Sequence, residues 1–169
     1  TPGWQGNVPL PYNTDEYLVK LDHQLNEPHR LSFSYFTTAG TQTNFPGNGN
    51  LPWATQDFSW RQHNVNLSDV WVIDPDKINQ VWLTYTRSFG GRLNTPETTL
   101  RDLGSTFTPQ GAGSLPQITV NGYFTLSNAI GGPTAGTNLY SFRDVFSWNK
   151  GKHSLKMGGE VTLNKDIQE

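Results

Sequence analysis

Along much of the chain, apolar and polar residues alternate with a period of two, as in β-strands with unlike faces. Tyr17, Val19 and Leu21 alternate with Leu18, Lys20 and Asp22. After the turn Leu25-Asn26-Glu27-Pro28-His29, Leu31, Phe33 and Tyr35 alternate with Ser32, Ser34 and Phe36. A second pair of runs flanks Asp74-Pro75-Asp76-Lys77. In it Val65, Leu67 and Trp71 alternate with Asn64, Asn66 and Ser68, and Val81, Leu83 and Tyr85 with Gln80, Trp82, Thr84 and Thr86. A third pair surrounds Asn149-Lys150-Gly151-Lys152. Its second strand is the most regular, with Leu155, Met157, Gly159, Val161 and Leu163 on one face and Ser154, Lys156, Gly158, Glu160 and Thr162 on the other. The pattern predicts three hairpins, over about 16–38, 58–88 and 139–163.

Between the hairpins the alternation stops. Residues 39–56 hold Asn44-Phe45-Pro46-Gly47-Asn48-Gly49-Asn50, and residues 89–138 hold Gly90-Gly91, Gly111-Ala112-Gly113 and Gly131-Gly132-Pro133, which read as loop punctuation. Loops of that length are suspect in a compact soluble domain. Short turns alternating with long polar loops are the pattern of transmembrane β-barrels, whose short turns are periplasmic and whose long loops are external. Each run approaches or exceeds the ~9–11 residues a tilted membrane strand needs. Trp71, Trp82 and Trp148 lie near the short turns, where an interfacial aromatic girdle belongs; the same residues could instead pack the core of a sandwich. Asp144 breaks the pattern, falling in phase with Tyr140, Phe142, Phe146 and Trp148. Either that strand is bulged or its register differs there. Six strands cannot close a barrel, for which about eight is the minimum, and open edges are not tolerated in a bilayer. The fold class predicted is therefore all-β: an antiparallel meander of about six strands, an excerpt of a large transmembrane barrel.

Composition narrows the class. Of the 169 residues, 15% are charged, 34% hydrophobic and 12% aromatic, with Gly 17 and Pro 11. Such a chain is polar without being charged, and too aromatic for simple disorder. A net charge of -2 argues against a general nucleic-acid binder. The absence of cysteine removes disulfides and thiolate metal sites. No apolar run is long enough for a membrane helix. No signal-peptide pattern is read, and the first residue is Thr1, so a piece of a longer protein is expected.

Asp15 to Leu25, followed by Pro28-His29-Arg30-Leu31, resembles a barrel hairpin of TonB-dependent outer-membrane receptors. The resemblance is to the Oar-like group, which carries a carboxypeptidase-regulatory-like domain ahead of the plug. Phe142 to Glu160 is similar to that group's Asp-x-x-Ser-Trp, Gly-Lys-His and Lys-x-Gly-Gly hairpin, here Trp148, Gly151-Lys152-His153, Lys156 and Gly158-Gly159. Leu115 to Gly122 resembles a stretch of its long external loop. The resemblance covers most of the chain and implies a barrel of about 22 strands, a plug, and energised uptake of a bulky ligand. It also implies as partners the plug, the TonB energising complex and outer-membrane lipid. No plug, TonB box or regulatory-like domain is read here, so uptake competence is expected of a parent protein.

Candidate chemistry is sparse. His23, His29, His63 and His153 form no close-spaced ligand motif, and His29 and His153 read as interfacial polar residues. Asp74 to Asn79 opens like a calcium loop but lacks its central Gly and closing Glu, so it reads as a turn. No phosphate loop or nucleophile elbow occurs. Asn66-Leu67-Ser68 matches a glycosylation sequon but falls mid-strand. No catalytic residue, metal or cofactor is expected, and no acid/base constellation supports a secreted hydrolase. Tyr17, Val19, Leu21, Leu31, Phe33, Tyr35, Val81, Leu83, Tyr85, Leu155, Met157 and Val161 are expected to face lipid. Lys20, Asp22, Gln80, Thr84, Lys156 and Glu160 are expected to face the lumen. The rival is a soluble β-sandwich or lectin-like carbohydrate-binding module, in which the same apolar face packs on a second layer.

Overall fold

Alternation of Val, Leu, Tyr and Phe with Ser, Thr and Asn favours extended backbone, because such side chains suit the two faces of a pleated sheet. The computed structural model describes residues 6–7, 9–44, 56–93, 99–107, 118–126 and 134–168. It contains β1 (Tyr12–Gln24), β2 (His29–Asn44), β3 (Gln56–Asp74), β4 (Lys77–Leu93), β5 (Ile118–Val120), β6 (Phe124–Leu126), β7 (Ala135–Lys150) and β8 (His153–Gln168). Six of these form one sheet in the order β1-β2-β3-β4-β7-β8, the expected antiparallel meander, and β5 and β6 pair separately. β7 and β8 pair one to one without interruption from Ala135↔Gln168 to Lys150↔His153.

The six long strands outrun the alternating stretches that announced them. β2 continues to Asn44, β4 to Leu93, and β7 begins at Ala135. The added residues, such as Thr41, Gln42 and Thr43, are polar on both faces, so the ladder continues where the two-sided hydrophobic signal has ended. Gly90 and Gly91 lie inside β4 rather than in a loop. Phe45 to Asn50, Gly111 to Gly113 and Gly131 to Pro133 lie outside the described residues, as do Leu115 to Gln117.

Two compact units divide the chain. One comprises Asp15–Ala39, Arg61–Phe89 and Ala135–Glu169 and holds the three short turns. In the first turn, Asn26 Oδ1 accepts from the His29 amide at 2.9 Å. In the second, Pro75-Asp76 separates β3 from β4 while Lys77 reaches Asp74 across the turn. The third is a two-residue loop with Gly151 at φ +62. A primed hairpin turn needs positive φ at its first central position, and glycine adopts it without penalty.

The other unit comprises Thr1–Thr14, Gly40–Trp60 and Gly90–Thr134. Within it, Thr99 to Ser105 make a single turn capped at both ends as a helix would be. The Thr99 amide donates to Asp102 Oδ2 (2.8 Å) while the Asp102 amide donates to Thr99 Oγ1 (3.3 Å), the reciprocal bonds of a capping box. At the far end, the Ser105 amide donates to the Leu100 carbonyl (3.0 Å) and the Gly104 amide to that of Arg101 (2.9 Å). Gly104 holds φ +81, which completes a Schellman closure. The turn and the β5–β6 hairpin both fall in the segment 89–138 that the sequence reads as loop.

Candidate functional site

The functional surface of this chain is its sheet, whose faces can be assigned from side-chain bonds between strands. On one face Ser32 Oγ donates to Asp22 (2.5 Å), Asn66 Nδ2 to Ser34 (3.4 Å), Thr84 Oγ1 to Asn66 (3.1 Å) and Thr86 Oγ1 to Asn64 (2.8 Å). Ser141 Oγ donates to Glu160 at 2.8 Å. Lys20 pairs with Asp22, Lys156 stands opposite Ser147 and Glu160 opposite Arg143. Gln80 shares the row of Thr84 along β4. The polar residues thus make one hydrogen-bonded face.

The opposite face is apolar. Tyr140, Phe142, Phe146 and Trp148 stand across from Leu163, Val161, Met157 and Leu155. Tyr85 meets Tyr140 at 5.0 Å, and Leu67, Leu83, Tyr85, Phe142 and Val161 help line a recess of about 490 Å³. By strand alternation Tyr17, Val19, Leu21, Leu31, Phe33, Tyr35 and Val81 join this face. Its side chains remain open: Leu83 is 48% exposed, Met157 58% and Val161 72%. No described side chain is fully buried. A sandwich would bury one face under a second layer; among the described residues nothing covers this face.

Asp144 is accounted for by neither a bulge nor a shifted register in its pairing with β8. It sits on the apolar face opposite Gly159, where no side chain competes for space, and accepts a hydrogen bond from Asn79 Nδ2 at 2.8 Å. Several of the face's other polar groups are paired as well. Tyr35 bonds His63 at 2.8 Å, Tyr85 donates to Asn138 at 2.9 Å, and His29 Nδ1 lies 2.8 Å from Asp69 Oδ2. His29 also stacks on Trp71 at 5.3 Å. The second Asp69 oxygen, Oδ1, is buried with no partner among the described residues. Sequence reasoning missed these pairs, although odd-position spacing put Asp69 and His63 in the apolar row.

Trp82 does not belong with a lipid-side girdle. It occupies the row of Gln80 and Thr84, with the Arg143 guanidinium 5.1 Å from its ring. Trp148 remains near its turn, donating from Nε1 to Asp76 (3.3 Å), with Lys150 Nζ 4.9 Å from its ring. The Asn149 amide donates to the Asp76 carbonyl at 2.8 Å, so the Pro75-Asp76 turn braces the Trp148 hairpin. Lys152 and His153 are exposed beside Gly151. Gly158 is required by crowding: a Cβ there would collide with the Asp144 carbonyl, whereas Gly159 has nothing within 4 Å. Asp74 and Asp76 turn to different partners, Lys77 and Trp148. Among the described residues no group of three or more His, Asp or Glu gathers as a metal site would.

Long antiparallel strands, short turns at one end and one uncovered apolar face define a membrane β-barrel sheet. Residues 2–169 match the family described as outer membrane beta barrel domain. The chain belongs to that family, and its place is the outer membrane. No curated protein and no solved structure matches it.

Proposed function

We propose that this chain is part of the barrel of a TonB-dependent receptor that takes up a bulky ligand, and that it carries no catalysis. The observation that carries the reading is the two-faced sheet, an uncovered apolar row backed by a continuous polar, hydrogen-bonded row. In this reading the apolar row meets outer-membrane lipid, and the polar row lines a lumen that a plug occupies in the parent protein. The hairpin built on Trp148, Gly151, Lys152, His153, Lys156, Gly158 and Gly159 supports it through its similarity to the Oar-like hairpin. Family membership in the outer-membrane barrels supports the membrane setting without selecting the ligand.

The test is uptake in cells that express the parent protein. Deleting the segment that corresponds to residues 12–168, and separately disabling the TonB complex, should each abolish accumulation of the receptor's ligand. Flux that needs the barrel but persists without TonB would show a passive channel and overturn the proposal.

A further inference from the structure

Three aromatic rings meet in the unit without the short turns. Phe58 and Trp60 lie two apart on β3 and stack at 5.8 Å with 25° between planes. Tyr12, from β1, meets Trp60 at 5.5 Å and 37°. β2 runs between β1 and β3, so the contact must cross it, and it does so at Gly40, where a Cβ would collide with the indole. On the other side β4 presents Gly90, where a Cβ would stand 2.7 Å from the Ser59 carbonyl and 3.2 Å from Trp60 Cβ. Glycines on both neighbouring strands clear the space in which the indole reclines across the sheet. Tyr12 is 61% exposed, and Phe58 and Trp60 are half-buried.

The row these rings occupy matters. Along β3, Phe58 and Trp60 continue the positions of Asn64 and Asn66, the polar row. An aromatic that anchors a barrel in lipid belongs to the apolar row, as Trp71 does. The rings therefore form a one-sided, gently tilted floor on the polar face. Gln42 follows Gly40 on the same row of β2 and the exposed Arg92 follows Gly90 on that of β4, whereas Thr43 and Asp57, bonded at 2.7 Å, alternate to the other face. A flat heteroaromatic is held best between two faces, whereas a pyranose chair has an apolar C–H face suited to one floor and hydroxyls that stay in water. We propose that Tyr12, Phe58 and Trp60 are a stacking platform for an oligosaccharide. This rests on the reading above, in which the polar row faces the aqueous lumen, and it names the chemical class of the ligand.

The barrel that contains this chain, refolded in detergent micelles, is titrated calorimetrically with maltohexaose, cellohexaose, laminarihexaose and N-acetylchitohexaose. At least one should bind. Trp60→Ala should weaken it about tenfold or more, the order expected for loss of one well-stacked ring. Gly40→Ala, which displaces the indole, should do the same, Trp60→Phe should retain part of the affinity, and Leu83→Ala on the other face should leave it unchanged. Circular dichroism checks that each variant folds, and Gly40→Ala and Trp60→Phe keep the test open should Trp60→Ala not fold. Binding of none of the four sugars, equal binding by folded Trp60→Ala or Gly40→Ala, or binding of quinoline in their place would overturn the platform. Sugar binding together with TonB-independent flux would overturn the uptake reading alone. TonB-dependent flux without sugar binding would overturn the platform alone.

Discussion

At the scale of single residues, the informative feature is how polar groups are carried on an apolar face. Asp144 lies among Phe142, Phe146, Met157 and Val161, and a polar group facing hydrocarbon is tolerated when its bonds are made within the protein. Asn79 supplies one such bond. Asn79→Ala strands the carboxylate and should destabilise the sheet by about 1–3 kcal/mol. Replacing both partners, as in Asn79→Leu with Asp144→Leu, should recover most of that loss, because no donor or acceptor is left unpaired. Urea titrations of the refolded barrel that contains this chain, in lipid vesicles and arranged as a double-mutant cycle, measure the coupling. Strictly additive effects would show that the bond does not stabilise the carboxylate. The phase of Asp144 is legible in the sequence, but its partner is not. Asn79 and Asp144 are distant in the chain and meet only because β4 pairs with β7 across the long intervening segment. Trp82 shows the reverse: nearness to a turn suggested a girdle, and the alternation of its own strand already assigned it to the polar row.

At the scale of elements, the three hairpins are legible because turn residues and period-two runs agree. Pro75 and Gly151 set the backbone their turns require, and the flanking runs keep their phase. The strand ends are not legible, since Thr, Gln and Asn on both faces look like loop whether or not they are paired. The capped turn at Thr99 was readable in principle from Thr99-x-x-Asp102 with Gly104, but was hidden by the glycine-rich character of the segment around it. It has a pH signature. The Thr99 hydroxyl, and then the Thr99 amide, donate to Asp102 and hold its carboxyl below the ordinary value of 3.8. A depressed carboxylate contributes stability that is fully present above its unfolded value and lost as pH falls through its folded one. The turn should therefore hold through neutral and mildly acid pH and loosen only below the ordinary carboxylate range. The Asp102 carboxyl carbon, followed by NMR in the refolded barrel that contains this chain, should titrate below 3.8, and Thr99→Val should move it upward. A midpoint unchanged by Thr99→Val would contradict the capping geometry.

At the scale of the whole molecule, the sheet has two flanks and an apolar face that no described residue covers. Every residue of β1 is exposed, and of β8 all but Ile167. β1 and β8 are the edge strands, and their unpaired groups need further strands in a bilayer, where no water can satisfy them. The same exposure that would make a soluble domain aggregate is what a lipid-embedded sheet requires. Alternation alone could not separate these cases, because a face packed on a second layer and a face packed on lipid have the same composition. Exposure of the folded side chains and membership of the outer-membrane barrel family separate them.

The central claim, that the row of Leu155, Met157 and Val161 meets lipid and the row of Lys156 and Glu160 meets water, can be tested residue by residue. The chain contains no cysteine, so single cysteines at positions 154–163 report with no background from within it. In intact outer membranes, a water-soluble maleimide should label positions 156 and 160 and spare 155, 157 and 161. Spin labels at the spared positions should be relaxed by oxygen dissolved in the bilayer. A two-residue period in that phase is the result this account predicts. Equal labelling of both rows, or labelling of 155, 157 and 161 with 156 and 160 protected, would contradict it.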